Sequence, residues 1–267
     1  MRMFMTVMFR PDILYSDKAM LVLSKPPGTA VHDAPGPGRS LLRALRLEQG
    51  PELTPVHRLD KDSSGVLILA RSKEIAARLQ KNWHLAKKTY WALCEGIPPN
   101  QCGVIDEPIL ENQTGKPERL KSALRYYQLK HPNSVLPPIP EPKTSAVHPA
   151  GRFSQTAYRV IEKFNCSQSR WSWLEVQPQQ GRMHQIRVHL AQLGHPLAAD
   201  PLYGRRECLC ASDFGANGSG ILQRMPLHAA ELTFIHPIDQ KREMTVKAPL
   251  PEDLFSILKL LRQCVVL

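Results

Sequence analysis

The sequence predicts an α+β domain. Short apolar runs of strand length, bounded by Gly, Pro or charged residues, recur from Ala19 to Phe234. A smaller set of stretches carries apolar residues three and four positions apart, the spacing of an amphipathic helix. The 267 residues suit one or two domains, and their 42% hydrophobic content is enough for a sizeable core.

Ile13–Asp17 leads into Ala19–Ser24, an expected strand that Lys25-Pro26-Pro27-Gly28 ends, because consecutive prolines supply no ladder donors; Val31-His32 follows. Ser40–Glu48 reads as a short helix with Ser40 as N-cap, broken by Gly50-Pro51. A polar cluster at 57–64, punctuated by Gly65, precedes the apolar run Val66–Ala70, which reads as a buried strand. Ser72–Trp83 reads as a helix: Ser72 is the N-cap, Glu74 favours the positive end of the dipole, and Ile75, Leu79 and Trp83 form the stripe. In Lys88–Gly96, Tyr90, Ala92 and Cys94 share one strand face.

Prolines crowd residues 117–149, and that composition predicts an extended surface segment. Deleting part of Pro137–Pro142 is expected to leave folding intact. Thr156–Ile161 and Trp171–Val176 alternate as strands. Met183, Ile186, Leu190 and Leu193 predict a helix that Gly194 ends, with Pro196 just beyond; it would carry Arg182, His184, Arg187 and His189. Residues 205–220 look like a loop, Leu227–Pro237 a strand, and Asp253–Val266 an apolar-striped helix.

No run approaches the ~18 apolar residues of a membrane span. Met1–Phe9 is short and lacks a small-residue cleavage site, so a signal peptide is rejected and a cytoplasmic protein with reduced cysteines is expected. No C-x-x-C or H-E-x-x-H spacing occurs, and no metal is expected. The formal charge of +11 points to a polyanionic partner, most simply nucleic acid. Nothing in the sequence marks an oligomer, and a monomer is the expectation.

Asp60 and Asp62 lie among Arg58, Lys61 and Arg71. A turn is the ordinary reading of such a cluster, since Asp and Ser bond nearby backbone. The whole string His57-Arg58-Leu59-Asp60-x-x-Ser63-Ser64-Gly65 nevertheless closely resembles the signature of the RluA-like pseudouridine synthases, with Ser63 where that family usually has Thr. Further matches follow in family order: the lysine-proline turn at Lys25, Lys88-x-Tyr90-x-Ala92, Gly181-Arg182-x-His184-Gln185-Ile186-Arg187-x-His189-Leu190, and Asp200-Pro201-Leu202-Tyr203-Gly204, where Ala199 replaces the usual Gly. That Ala suggests a slightly different turn.

The resemblance implies a pseudouridine synthase fold: a central mixed, mostly antiparallel sheet with flanking helices, loops and an active-site cleft. It also implies one catalytic domain over residues 1–267 with a Pro-rich surface insertion at about 117–150. The twelve residues ahead of Ile13 are too few for the RNA-binding module that many relatives carry, and its absence is expected. Asp60 would be the nucleophile, with Tyr90 and Arg187 supporting it in the active site. Arg58 would take the space of an extruded base, and His57 would help shape that entry. Ribosomal or transfer RNA would be the substrate, and no cofactor would be needed.

The chemistry suits these residues. A carboxylate forms covalent bonds with sugars, and one placed as nucleophile must be ionised, which a cation within a few ångströms favours. It serves three routes equally: attack at C1′, addition at C6, or removal of a sugar proton. Tyr90 offers a flat ring for uracil. A target uridine must leave its stack, at a cost of a few kcal/mol. Two other classes compete: a catalytically silent RNA-binding protein on the same fold, and a carboxylate hydrolase such as a glycosidase. The hydrolase would need a second carboxylate as acid, for which Asp62 is the candidate.

Overall fold

Alternation along two neighbouring strands sets the architecture. The computed structural model describes residues 11–32, 40–112, 117–166, 169–214 and 220–264. Met1–Phe9, part of the loop expected at 205–220, and the last residues of the helix expected to reach Val266 lie outside them. The chain begins with β1 (Asp12–Ser16), β2 (Met20–Lys25), α1 (Leu41–Gln49), β3 (Thr54–Pro55), β4 (Ser64–Ala70), α2 (Lys73–Lys81) and β5 (Lys87–Glu95). It continues with β6 (Cys102–Asp106), β7 (Ile109–Glu111), α3 (Pro117–Lys130), β8 (Ser145–Val147), β9 (Gln155–Asn165), β10 (Arg170–Pro178) and α4 (Gln185–Gln192). It ends with β11 (Leu209–Cys210), β12 (Gly220–Leu222), β13 (Leu227–Ile235), β14 (Glu243–Lys247) and α5 (Glu252–Cys264).

The main sheet runs β1-β2-β4-β13-β5-β10-β9-β6, with β3 added to β4 and β14 to β13. Among the described residues only the β4–β13 pairing is parallel, so the sheet is mixed and mostly antiparallel, as expected. Met20, Val22, Val66, Ile68 and Ala70 face one side, where Ala76 and Leu79 of α2 cover them. Leu21, Leu23, Leu67 and Leu69 face the other, under Leu41, Leu42 and Leu45 of α1. β4 is buried on both faces, which is why it reads as an unbroken apolar run.

The second half repeats the arrangement. Leu93, Trp171 and Trp173 pack on Leu254, Ile257, Leu258 and Leu261 of α5. Ala92, Cys94, Leu174 and Val176 pack on Ile186 and Leu190 of α4. A bulge in β9 sets Trp173 opposite Glu162 and Leu174 opposite Val160. The extra residue flips the phase of the strand, so Phe164 joins the α5 side while Tyr158 and Val160 face α4.

Gly65 makes the parallel junction possible. It lies beside Ala229 with φ +112, and an added Cβ would come within 2.2 Å of the Ala229 carbonyl oxygen. Only a residue without a side chain lets the two backbones meet there.

Three expectations change. The segment 117–149 is not extended throughout, because its first half is helix α3. Pro117 sits at the first helical position, where its missing N–H costs nothing, and Leu120, Ala123, Leu124 and Tyr127 recur at helical spacing. Averaging proline over the whole segment hid that pattern. The deletion expected to be harmless also removes two anchors: the Pro137 carbonyl bonds Nε2 of fully buried His148, and the Pro140 carbonyl accepts from Asn112 Nδ2. Finally, the helix expected from Met183 begins at Gln185, because His184 is left-handed with φ 56; Arg182 and His184 therefore precede it. Ala199, at φ 55, keeps the left-handed backbone that glycine favours despite its methyl.

Candidate active site

The signature loop is held from beneath by its own carbonyls. Lys25, fully buried at the end of β2, donates from Nζ to the carbonyls of Pro26, Thr29 and Lys61 at 2.7, 2.8 and 2.9 Å. Arg224 Nη1 donates to the Asp62 carbonyl at 3.2 Å. Burial lowers the Lys25 pKa to about 8 against the opposing pull of Asp62 and Asp60. The Ser63 N–H closes a turn onto the Asp60 carbonyl, and Ser64 and Gly65 then enter β4. These bonds fix the loop just after Asp60, and the Val56 N–H, donated to the Ile68 carbonyl, ties it before Asp60, so the carboxylate projects from a rigid support.

Arg187 comes from the first turns of α4. Its Nε and Nη2 donate to Asp200 Oδ2 and Oδ1 at 2.8 and 2.7 Å, and its Nη1 donates to Asp60 Oδ2 at 3.2 Å. Burial alone would lower its pKa, but the Asp200 hydrogen bonds and the charges of Asp200 and Asp60 outweigh it and leave the pKa raised. Burial opposes ionisation of Asp200, yet Arg187 and the N–H groups of Leu202 and Tyr203 hold its pKa below the usual value. Arg187 lies over the Tyr203 ring at 5.0 Å. The Tyr203 hydroxyl contacts His184 Nδ1 at 2.9 Å and accepts from the Ser145 N–H at 2.8 Å.

Asp60, Tyr90 and Arg187 line one cavity of about 410 Å³, within the roughly 300–1,000 Å³ of ligand pockets. Three distant stretches of sequence therefore converge, as the motif reading required. Tyr90 reaches the cavity from β5. Burial, followed by the Asp60 charge, raises its pKa, so the phenol stays protonated at neutral pH.

His57 and Arg58 also line the cavity but differ in kind. His57 Nε2 accepts from the Ile68 N–H at 3.1 Å, and its ring stacks on Trp83 with centroids 4.8 Å apart. Burial first, then the Lys88 charge, lowers its pKa to about 3. It is a neutral wall group. Arg58 is exposed, and its side chain makes no hydrogen bond or ion pair with a described residue.

Sequence reasoning assigned no role to several groups found here: Asp200 and Tyr203 behind Arg187, Trp83 and Lys88 in the cavity wall, and Lys25 under the loop. Asp200 and Tyr203 belong to a stretch already singled out, so the signal was present without its partner. Trp83 was read as part of a core stripe and does pack on the core beside Ile75; α2 stops at Lys81, and a short 3-10 turn at Trp83–Leu85 also brings the indole to the cavity wall. Among the described residues no helix is long and apolar enough to cross a membrane.

Comparisons with known proteins bear on the family and the fold. Residues 19–192 match the family model for RNA pseudouridylate synthase. Ribosomal large subunit pseudouridine synthase C of Vibrio cholerae is 34% identical over 256 residues, covering 94% of this chain and 69% of that protein. Ribosomal large subunit pseudouridine synthase D of Neisseria meningitidis serogroup A is 32% identical over 261 residues, covering 94% of this chain and 61% of that protein. The solved structure of human RNA pseudouridylate synthase domain containing 4 superposes with a TM-score of 0.66 at 25% identity, covering 94% of this chain and 93% of that one. With the fold, the ordered motifs and these likenesses in agreement, the chain belongs to the RNA pseudouridylate synthase family of isomerases.

Proposed function

We propose that this chain converts uridine to pseudouridine in RNA with Asp60 as the nucleophile. The reaction breaks C1′–N1, joins C1′ to C5, and moves the C5 proton to N1, so it needs no net oxidant or reductant. The observation that carries the reading is the placement of Arg187 between two carboxylates: Asp200 fixes the guanidinium by two bonds, from Nε and Nη2, and Nη1 donates to Asp60. Asp60 Oδ1 accepts no hydrogen bond from a described residue, which leaves it for the sugar or base. A fixed cation beside a carboxylate is what an ionised nucleophile in a secluded cavity needs.

Tyr90 acts as the stacking surface for uracil rather than as base, because its phenol holds its proton. Exposed Arg58, two residues before the nucleophile, enters the space left by the extruded base. His57, neutral and fixed on Trp83, shapes that entry. The names of the bacterial relatives favour ribosomal large-subunit RNA over transfer RNA as substrate. The work is then cytoplasmic.

The deciding experiment incubates the protein with total RNA from cells lacking it and maps new pseudouridines by chemical labelling and mass spectrometry. Isomerised uridine at discrete sites, absent with Asp60→Asn, is the expected result. Unchanged RNA would mean a silent binding protein, and released uracil would mean a hydrolase.

A further inference from the structure

Helix α3 buries none of its residues, while the strands on either side of its segment are tied to the cavity wall. Behind it, β7 pairs with β8, and Asn112 ties the intervening segment through the Thr144, Lys143 and Pro140 backbones. Both strands reach the catalytic network. Glu111 of β7 accepts from the Met183 N–H at 2.6 Å, and Ser145 of β8 donates to the Tyr203 hydroxyl that contacts His184. A segment anchored at two points behind Arg187 presents a helix that the core does not use.

The exposed face of that helix is basic. Arg119, Lys121, Arg125 and Lys130 are exposed, against the single acid Glu118, which pairs at the surface with Lys121. Exposed Tyr126 and Leu129 lie among them. A continuous path leads from α3 to the cavity. Arg119 lines a narrow groove with Arg152, Leu120, Ala123 and Glu111. Phe153, 57% exposed, follows Arg152, and its carbonyl accepts the guanidinium of Arg182, a residue of the cavity wall. Cations interleaved with exposed aromatic rings suit a nucleic-acid strand: the cations take phosphates and the rings take bases.

We propose that α3, with Arg152 and Phe153, is an RNA-docking arm that holds the substrate strand flanking the target uridine, outside the catalytic cavity. The inference rests on the RNA-isomerase reading and adds to it the surface that would gather the flanking RNA. The arm recognises the strand by backbone charge and stacking rather than by base edges.

The test crosses RNA length with charge reversal. One probe is a short single strand around one uridine, enough to fill the cavity. The other sets the same strand in the loop of a hairpin with a stem of about 16 base pairs, the span a double-stranded RNA module covers. Lys121→Glu/Arg125→Glu alters only exposed positions on the outer face of α3. Wild-type protein is expected to bind the hairpin more tightly than the short strand. The variant is expected to lose tenfold or more on the hairpin at low salt, and little on the short strand. The salt slope on the hairpin should fall by about 0.7–0.9 for each phosphate that the variant no longer neutralises.

Equal hairpin affinity and equal salt slopes for the two proteins would overturn the proposal and would mark α3 as a surface for some other partner. Equal losses on both probes would also overturn it, because the helix would then act on the cavity. If the double variant does not fold, Arg125→Gln alone, checked by circular dichroism, carries the same comparison. The isomerase reading fails separately, if wild-type protein forms no pseudouridine in total cellular RNA.

Discussion

Arg187 is bound to Asp200 more firmly than to Asp60: two bonds of 2.8 and 2.7 Å against one of 3.2 Å. The side chains of Arg187 and Asp200 are 6% and 0% exposed, whereas that of Asp60 is 28% exposed. The Arg187–Asp200 pair is a built-in part of the fold, and Asp60 stands at its open side. Substitution at Asp60 should therefore cost activity and little stability, whereas removal of Arg187 should cost both.

Asp60→Asn keeps size and shape and removes one partly exposed charge. Stability should change by about 1 kcal/mol or less, as for exposed ion pairs. Pseudouridine formation should disappear, while RNA affinity should stay within tenfold, about 1.4 kcal/mol. Urea unfolding, RNA binding and product analysis on one preparation check all three. Surviving isomerase activity would place the nucleophile elsewhere.

Arg187→Met should be much worse for the fold, since it strands a buried carboxylate; the expected cost is about 3–5 kcal/mol. Adding Asp200→Asn removes the stranded charge and keeps an oxygen for the Leu202 and Tyr203 N–H groups. The double variant should therefore be more stable than Arg187→Met by about 2 kcal/mol or more, yet remain inactive. If it is no more stable, Asp200 is not the group that Arg187 neutralises.

Much of the site was legible because its residues occupy regular elements with clear periodicity. Asp60 stands at the mouth of an apolar run, Tyr90 on an alternating strand, and Arg187 on a helix ended by Gly194. What escaped were relationships between elements. Asp200 looks like a turn residue until Arg187 is beside it. The β9 bulge leaves no mark on the pattern until Phe164 is seen across the sheet from Val160. Helix α3 was obscured by the prolines that follow it. Gly65 was read as punctuation, whereas its real constraint is the Ala229 backbone some 160 residues away.

Gly65→Ala tests that constraint. Its Cβ would overlap the Ala229 carbonyl, in a backbone conformation that L-residues rarely adopt. Strain and overpacking each cost about 1–3 kcal/mol, so a loss of about 2–6 kcal/mol is expected. Urea unfolding measures it. A near-normal midpoint would mean that β4 and β13 can separate without penalty.

The same junction carries a pH sensor of stability. His228 is fully buried, with Nδ1 2.9 Å from Ser64 Oγ and Nε2 3.3 Å from the Ala248 carbonyl. A neutral ring satisfies both contacts: Nε2–H donates to the carbonyl, and Nδ1 accepts from the hydroxyl. Burial lowers its pKa to about 4, with the Ala248 carbonyl opposing and the Arg224 charge adding. In the unfolded chain a histidine titrates near 6.5. Between these values the unfolded state binds the extra proton, so this contribution is fully present above about pH 6.5 and is lost as pH falls through about 4. The whole loss is on the order of 3 kcal/mol. Across that window the wild-type stability curve should be steeper than that of His228→Gln by up to about 1.4 kcal/mol per pH unit, the value for one proton. Urea unfolding of both proteins at several pH values from 7 to 4 measures the difference. Parallel curves would mean that His228 takes up its proton in the folded state as readily as in the unfolded one.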